Sequence, residues 1–156
     1  MTVYYSLIYS NLIYCISLWG GTWIKYIDPL FKVQKRFIRA ISYLRRYDST
    51  PAKFNELGIL KLNNVYLYFS SLLIFKVRHQ NYCSGLFERV VHNYRTRGFL
   101  NNMLVPYSRC KTVSKSFMYN VPKIWNQLPE YLKSESNLNS FKRRLKEYLK
   151  VKQSEL

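Results

Sequence analysis

The sequence predicts an all-α or mostly α fold, a compact helical bundle with an irregular basic segment and a C-terminal basic amphipathic helix. Apolar residues recur at three- and four-residue spacing in several stretches, and Pro, Gly, Asp and Asn mark where those stretches start and stop. The 156 residues are enough to bury a core without disulfide or metal staples. A short extended piece is expected around Ser114 to Tyr119.

The chain opens with Met1 to Ile24, which holds no charged side chain and is rich in Tyr, Leu and Ile. A signal peptide would need a positive start and a small-residue cleavage site, and neither is present. Ser6, Ser10, Asn11 and Ser17 interrupt the run, so a buried first helix closed by Gly20 and Gly21 accounts for it better than a membrane anchor.

The stretch Asp28 to Arg46 reads as a basic amphipathic helix, with Asp28 as cap and Pro29 at the first helical position. Leu30, Phe31, Gln34, Phe37, Ile38, Ile41 and Leu44 form one face. Lys32, Lys35, Arg36, Arg39, Arg45 and Arg46 fall largely between them.

Ser49-Thr50-Pro51 signals a short helix that stops at Gly58. Asn63 or Asn64 is placed to cap the next helix, in which Val65 to Val77 is apolar nearly all round. Such a helix belongs in the middle of the domain, packed on both Leu7 to Leu18 and Phe37 to Leu44 in one core. Gly85 to Val91 suggests a further short helix, and Tyr94 to Lys115 loses periodicity. Asn120 to Pro129 reads as a short helix with Pro122 in its first turn and Trp125 anchoring it. Phe141, Leu145, Tyr148 and Leu149 mark a last helix, capped by Asn137 or Asn139, with Lys142, Arg143, Arg144 and Lys146 opposite. The boundary falls after Gln80, giving a unit over 1–80 and a basic C-terminal region over 81–156.

Composition bounds the function. A formal net charge of +17 repels itself unless an anionic partner absorbs it, and 15 tyrosines help to raise the aromatic share to 17%. From Arg89 through Pro129 there is no acidic residue, while Arg95, Arg97, Arg109, Lys111 and Lys115 alternate with aromatics. Phosphates pair with Arg and Lys and bases stack on rings, so an RNA or DNA backbone is the expected partner. For Arg95 and Arg97, capping helix C-termini or bridging to Glu88 is the alternative. An anionic membrane is the competing partner, with Met1 to Ile24 as anchor and Asp28 to Arg46 lying on lipid. Three widely spaced cysteines argue for an intracellular protein.

Catalysis is not expected of this chain. Its eight carboxylates include no Asp-Asp or Asp-x-Asp pair to hold two metal ions, and there is no phosphate loop, nucleophile elbow or dinucleotide fingerprint. His79, Cys83, His92 and Cys110 match no standard zinc spacing. Neither a cofactor nor a small-molecule substrate is implied.

A set of motifs adds to this reading. Tyr4-Tyr5-Ser6-Leu7-Ile8-Tyr9, Leu18-Trp19-Gly20 and Leu30 to Arg39 come first. Leu57 to Leu62, Asn93 to Arg97, Ile124 to Pro129 and Ser140 to Lys146 follow. In that order they resemble the region just after the catalytic core in reverse transcriptases of jockey-like non-LTR retrotransposons. The resemblance covers nearly the whole chain. It implies a polymerase thumb over residues 1–80 that grips template and primer, then a C-terminal segment, with the palm as a further partner. The palm's Tyr/Phe-x-Asp-Asp motif is missing here, so the resemblance implies binding of RNA or an RNA–DNA duplex without catalysis. That family often has a glycine shortly before Trp-Asn-x-Leu-Pro, where this chain has Asn120 and Val121. A translated transposon fossil without selected function is the remaining alternative.

Overall fold

A computed structural model describes residues 2–80 and 102–154, and among these every regular element is helical. A π-wound stretch, Tyr4–Tyr9, runs into α1 (Ser10–Ile13), followed by α2 (Ile16–Trp19), α3 (Ile24–Ile41), α4 (Pro51–Glu56) and α5 (Leu62–Gln80). After a 3-10 turn at Val113–Lys115 come α6 (Phe117–Asn126), α7 (Glu130–Lys133) and α8 (Leu138–Ser154). The expected helix over Gly85 to Val91, and the irregular segment as far as residue 101, lie outside the described residues.

The uncharged N-terminal run is two short helices and not one buried helix. Cys15 takes a left-handed conformation, φ 50°, which L-residues adopt at a steric cost, and the chain turns there. Tyr4, Leu12 and Ile16 are buried, whereas Val3, Tyr5, Leu7, Tyr14 and Leu18 are exposed. Gly20 does close α2, its N–H donating to the Ile16 carbonyl at 2.7 Å. A Cβ at Gly20 would fall on the ring of Tyr66 in α5 and within 2.6 Å of the Ile16 carbonyl oxygen. Close approach is therefore what glycine supplies here, and Gly20→Ala is expected to lower stability by about 1–3 kcal/mol, read by urea denaturation.

Both ends of α3 differ from expectation. The helix begins at Ile24, after an extended Trp23, so Asp28 does not cap it; the Asp28 carboxylate instead pairs with Lys32 one turn on, at 2.7 Å. Pro29 lies inside the helix and has no N–H to give the Lys25 carbonyl. At the other end Tyr43 adopts φ 51°, Leu44 N–H donates to the Arg39 carbonyl at 2.9 Å, and Tyr43 N–H reaches the Ala40 carbonyl at 3.4 Å. This Schellman closure ends α3 at Ile41 and moves Leu44, Arg45 and Arg46 off the helix.

The local signals around α4 hold. Pro51 occupies its first turn, and Gly58 at φ 64° closes it, with Ile59 N–H donating to the Phe54 carbonyl at 2.9 Å. Neither Asn63 nor Asn64 caps α5. Two glutamines from other helices do this work. Gln34 Oε1 accepts from Leu62 N–H at 3.0 Å, and Gln153 Oε1 accepts from Lys61 N–H at 2.8 Å. Their amides donate back to the same segment: Gln34 Nε2 to the Leu60 carbonyl at 2.9 Å and Gln153 Nε2 to the Ile59 carbonyl at 3.2 Å. Gln34 also donates to the Tyr4 hydroxyl at 2.9 Å, and Asn64 donates to Gln153. Buried backbone groups need such partners, and here residues 59–62 find them on α3 and α8.

α5 is central, as its all-round apolar surface requires, and packs chiefly against α2, α6 and α8. Its buried cluster runs from Leu12 and Ile16 through Val65, Ile74 and Phe75 to Trp125, Phe141, Leu145 and Leu149. The C-terminal half of α3 does not join it. Ile38, with Phe37 and Ile41, packs on Tyr4, Phe54 and Ile59 in a second cluster, so the single core expected from the sequence is two. The 59–62 segment runs from one cluster to the other, with Ile59 in the second, Leu60 and Leu62 in the first, and Gln34 of α3 bonded to it.

Ser114 to Tyr119 is not extended: it holds the 3-10 turn and the first residues of α6. Pro122 sits inside α6, well past its first turn, and Trp125 is fully buried as expected. Asn137 caps α8, its side chain accepting from Asn139 N–H at 2.8 Å, and Phe141, Leu145 and Leu149 face the core.

Candidate nucleic-acid interface

Because Gln34 and Ile38 are the buried positions of α3, the opposite face of that helix is fixed in solvent. Lys25, Lys32, Arg36 and Arg39 follow one another at seven-, four- and three-residue steps, which places them along one stripe. The stripe spans about 21 Å of this 18-residue helix.

Each sequence-predicted cation has a definite place. Lys32 pairs with Asp28 yet keeps a side chain 64% exposed. Arg36 is exposed, and Lys35 lies at the edge of the stripe with its ammonium 4.1 Å from the centroid of the Phe31 ring. Arg39 is half-buried and donates through Nε to the Asp48 carbonyl at 3.2 Å, tying the end of the helix to the following loop. Arg45 and Arg46 are exposed in that loop, whose shape is held by the Asp48 carboxylate accepting from Arg45 N–H at 2.8 Å.

Of the later cations, Lys115 joins the stripe, because its ammonium sits over the Trp23 ring at 5.6 Å, directly before α3. Arg109 stands over the exposed ring of Tyr107, and Lys111 is exposed, but no described contact links either to α3. Arg95 and Arg97 lie outside the described residues.

Sequence reasoning missed Lys25 and two exposed aromatics beside it, Trp23 and Tyr26. The signal was present in Ile24, Ile27 and Phe31, which extend the apolar spacing backwards past Asp28. Tyr43 and Tyr47, both almost fully exposed, flank the other end. The surface is thus a row of cations with rings at each end, suited to phosphates along its length and stacked bases at its limits.

Ion pairs also form elsewhere. Lys53 meets Glu56, the buried Lys133 ammonium meets Glu130, and Arg144 meets Glu135. Among the described residues no three of His, Cys, Asp and Glu come together as a metal site. No described helix is long and apolar enough to cross a membrane. Shifted proton affinities lie away from the stripe. Burial beside Tyr68, Tyr4 and Tyr5 pushes Tyr9 up to about 12, and burial with the neighbouring Arg78 charge lowers His79. Tyr9 therefore stays neutral at physiological pH.

No protein-family model, curated protein or solved structure matches the chain.

Proposed function

We propose that the chain is a non-catalytic module that binds RNA or an RNA–DNA duplex through its phosphate backbone, inside a cell. The carrying observation is the α3 stripe: Lys25, Lys32, Arg36 and Arg39 on one solvent face, with aromatic rings at both ends, in a chain of net charge +17. The motif resemblance to the post-catalytic region of retroelement reverse transcriptases agrees with this reading, in which a palm domain is the protein partner and supplies the chemistry.

Binding of this kind releases counterions, so affinity falls steeply with salt and depends little on base sequence. Each neutralised phosphate contributes roughly 0.7–0.9 to the log–log salt slope. Changing Lys25, Lys32, Arg36 and Arg39 to Gln is expected to flatten that slope by about 3 in fluorescence anisotropy with an RNA–DNA duplex. A second variant removes the same charge from α8, at Arg143, Lys146, Lys150 and Lys152, and should keep most of the slope. Equal losses in the two variants would show that net charge alone governs binding and would remove the case for the stripe.

A further inference from the structure

Beside the stripe, where α3, α4 and the start of α5 meet, lies a cavity of about 310 Å³. Phe31, Lys35, Thr50, Phe54, Lys61 and Asn63 line it. One wall is apolar, made by the rings of Phe31 and Phe54 at 6.3 Å between centroids. Lys35 and Lys61 bring two ammonium groups to this space, and no described carboxylate lines it. Lys35 is held against the Phe31 ring and not by an acid, while Lys61 Nζ reaches only the Gln153 carbonyl, at 3.5 Å.

The Thr50 side chain is the more telling group. Thr50 is 3% exposed and stands at the N-cap of α4, yet its hydroxyl makes no capping bond. It has no other hydrogen-bond partner among the described residues. Its oxygen opens onto the cavity and is not one of the buried atoms left unsatisfied, and an acceptor oxygen placed there would receive its hydrogen bond.

We infer that this cavity seats the phosphorylated end of a nucleic-acid strand, its phosphomonoester between Lys35 and Lys61 and its terminal ring against Phe31 and Phe54. The Thr50 hydroxyl donates to one phosphate oxygen. The assignment rests on the polynucleotide reading above. A phosphomonoester carries about −1.5 to −2 charge near pH 7, whereas an internal phosphodiester carries a single charge, so two ammonium groups in one space match a strand end. Lys35 belongs both to this cavity and to the edge of α3's basic face, which leads a strand lying on that face to the site.

The test compares short oligonucleotides of one sequence that end in a 5′-phosphate, a 3′-phosphate or hydroxyls only, by fluorescence anisotropy with the full chain. One phosphorylated end is expected to bind about tenfold more tightly than the hydroxyl form, the gain typical of hydrogen bonds to a charged group. The advantage should shrink as pH is lowered through about 6, where the phosphomonoester takes up its second proton. Thr50→Val, which keeps the side-chain volume, and Lys61→Gln should each reduce the advantage and leave hydroxyl-ended affinity unchanged. Equal affinity for all three oligonucleotides, or an advantage untouched by both variants, would overturn the cavity assignment alone. Loss of the advantage to an equimolar free nucleoside monophosphate would reassign the cavity to a free nucleotide and overturn the strand end. If none of the oligonucleotides binds, the polynucleotide reading falls together with the cavity.

Discussion

Gln34→Ala is expected to lower the unfolding free energy by about 3–5 kcal/mol, a large fraction of the stability of a domain this size. Gln34 is completely buried, and its amide satisfies the Tyr4 hydroxyl, the Leu60 carbonyl and the Leu62 N–H at once. Truncation leaves three polar groups without partners in a space that closes poorly around the missing atoms, and each such group costs about 1–3 kcal/mol. Urea denaturation followed by circular dichroism measures the loss. Gln127→Ala is the control, because Gln127 is exposed and its replacement should stay within about 0.5 kcal/mol. A loss below about 1 kcal/mol for Gln34→Ala would mean that water or rearrangement replaces the amide, and that the clamp on residues 59–62 is not a stabilising feature.

Trp125→Ala is expected to be of similar size, about 3–5 kcal/mol, for a different reason. Trp125 is fully buried, with its ring 6.1 Å from that of Phe141 and the Arg78 guanidinium 5.5 Å from its centroid. Phe141 in turn stacks on Phe75 at 4.4 Å, so the indole joins α6 to both α5 and α8. Removing it opens a large void and takes the aromatic face from Arg78. Trp125→Phe keeps a ring and should lose less than half as much in the same denaturation experiment. Equal losses for the two substitutions would point to the indole N–H, and not to packing, as the source of the stability.

What the sequence revealed depended on the distance over which each determinant acts. The Pro51 start, the Gly58 stop and the Asn137 cap were legible because each is set within one turn of the residue concerned. The end of α3 was not. It depends on Tyr43 adopting a left-handed conformation that tyrosine gives no sign of favouring, so Arg45 and Arg46 were carried along with a helix they do not belong to. Asp28 and Pro29 form a sound start signal, but Ile27 packs on the core behind them and extends the apolar face, while Ile24 stays exposed. The competing pattern won, and with it came Lys25. The glutamine clamp is illegible for another reason: by its spacing Gln34 counts as one more member of an apolar face, and nothing nearby in sequence marks Leu60 or Leu62 as its partners. Lys32, Lys35, Arg36 and Arg39 are therefore readable from charge and period alone, while Lys25 and the cavity at Thr50 and Lys61 are not, the cavity needing three helices to be brought together.

The two glutamines also impose an order on assembly. Gln34 meets Leu60 across 26 residues, whereas Gln153 meets Lys61 across 92, and the entropy lost in closing a loop grows with its length. The α3 side of the clamp can form early in folding, from nearby chain, and the α8 side only after a far longer search. Until α8 docks, Lys61 N–H and the Ile59 carbonyl lack their amide partner, so the first turn of the central helix is completed last by the part of the chain most distant from it.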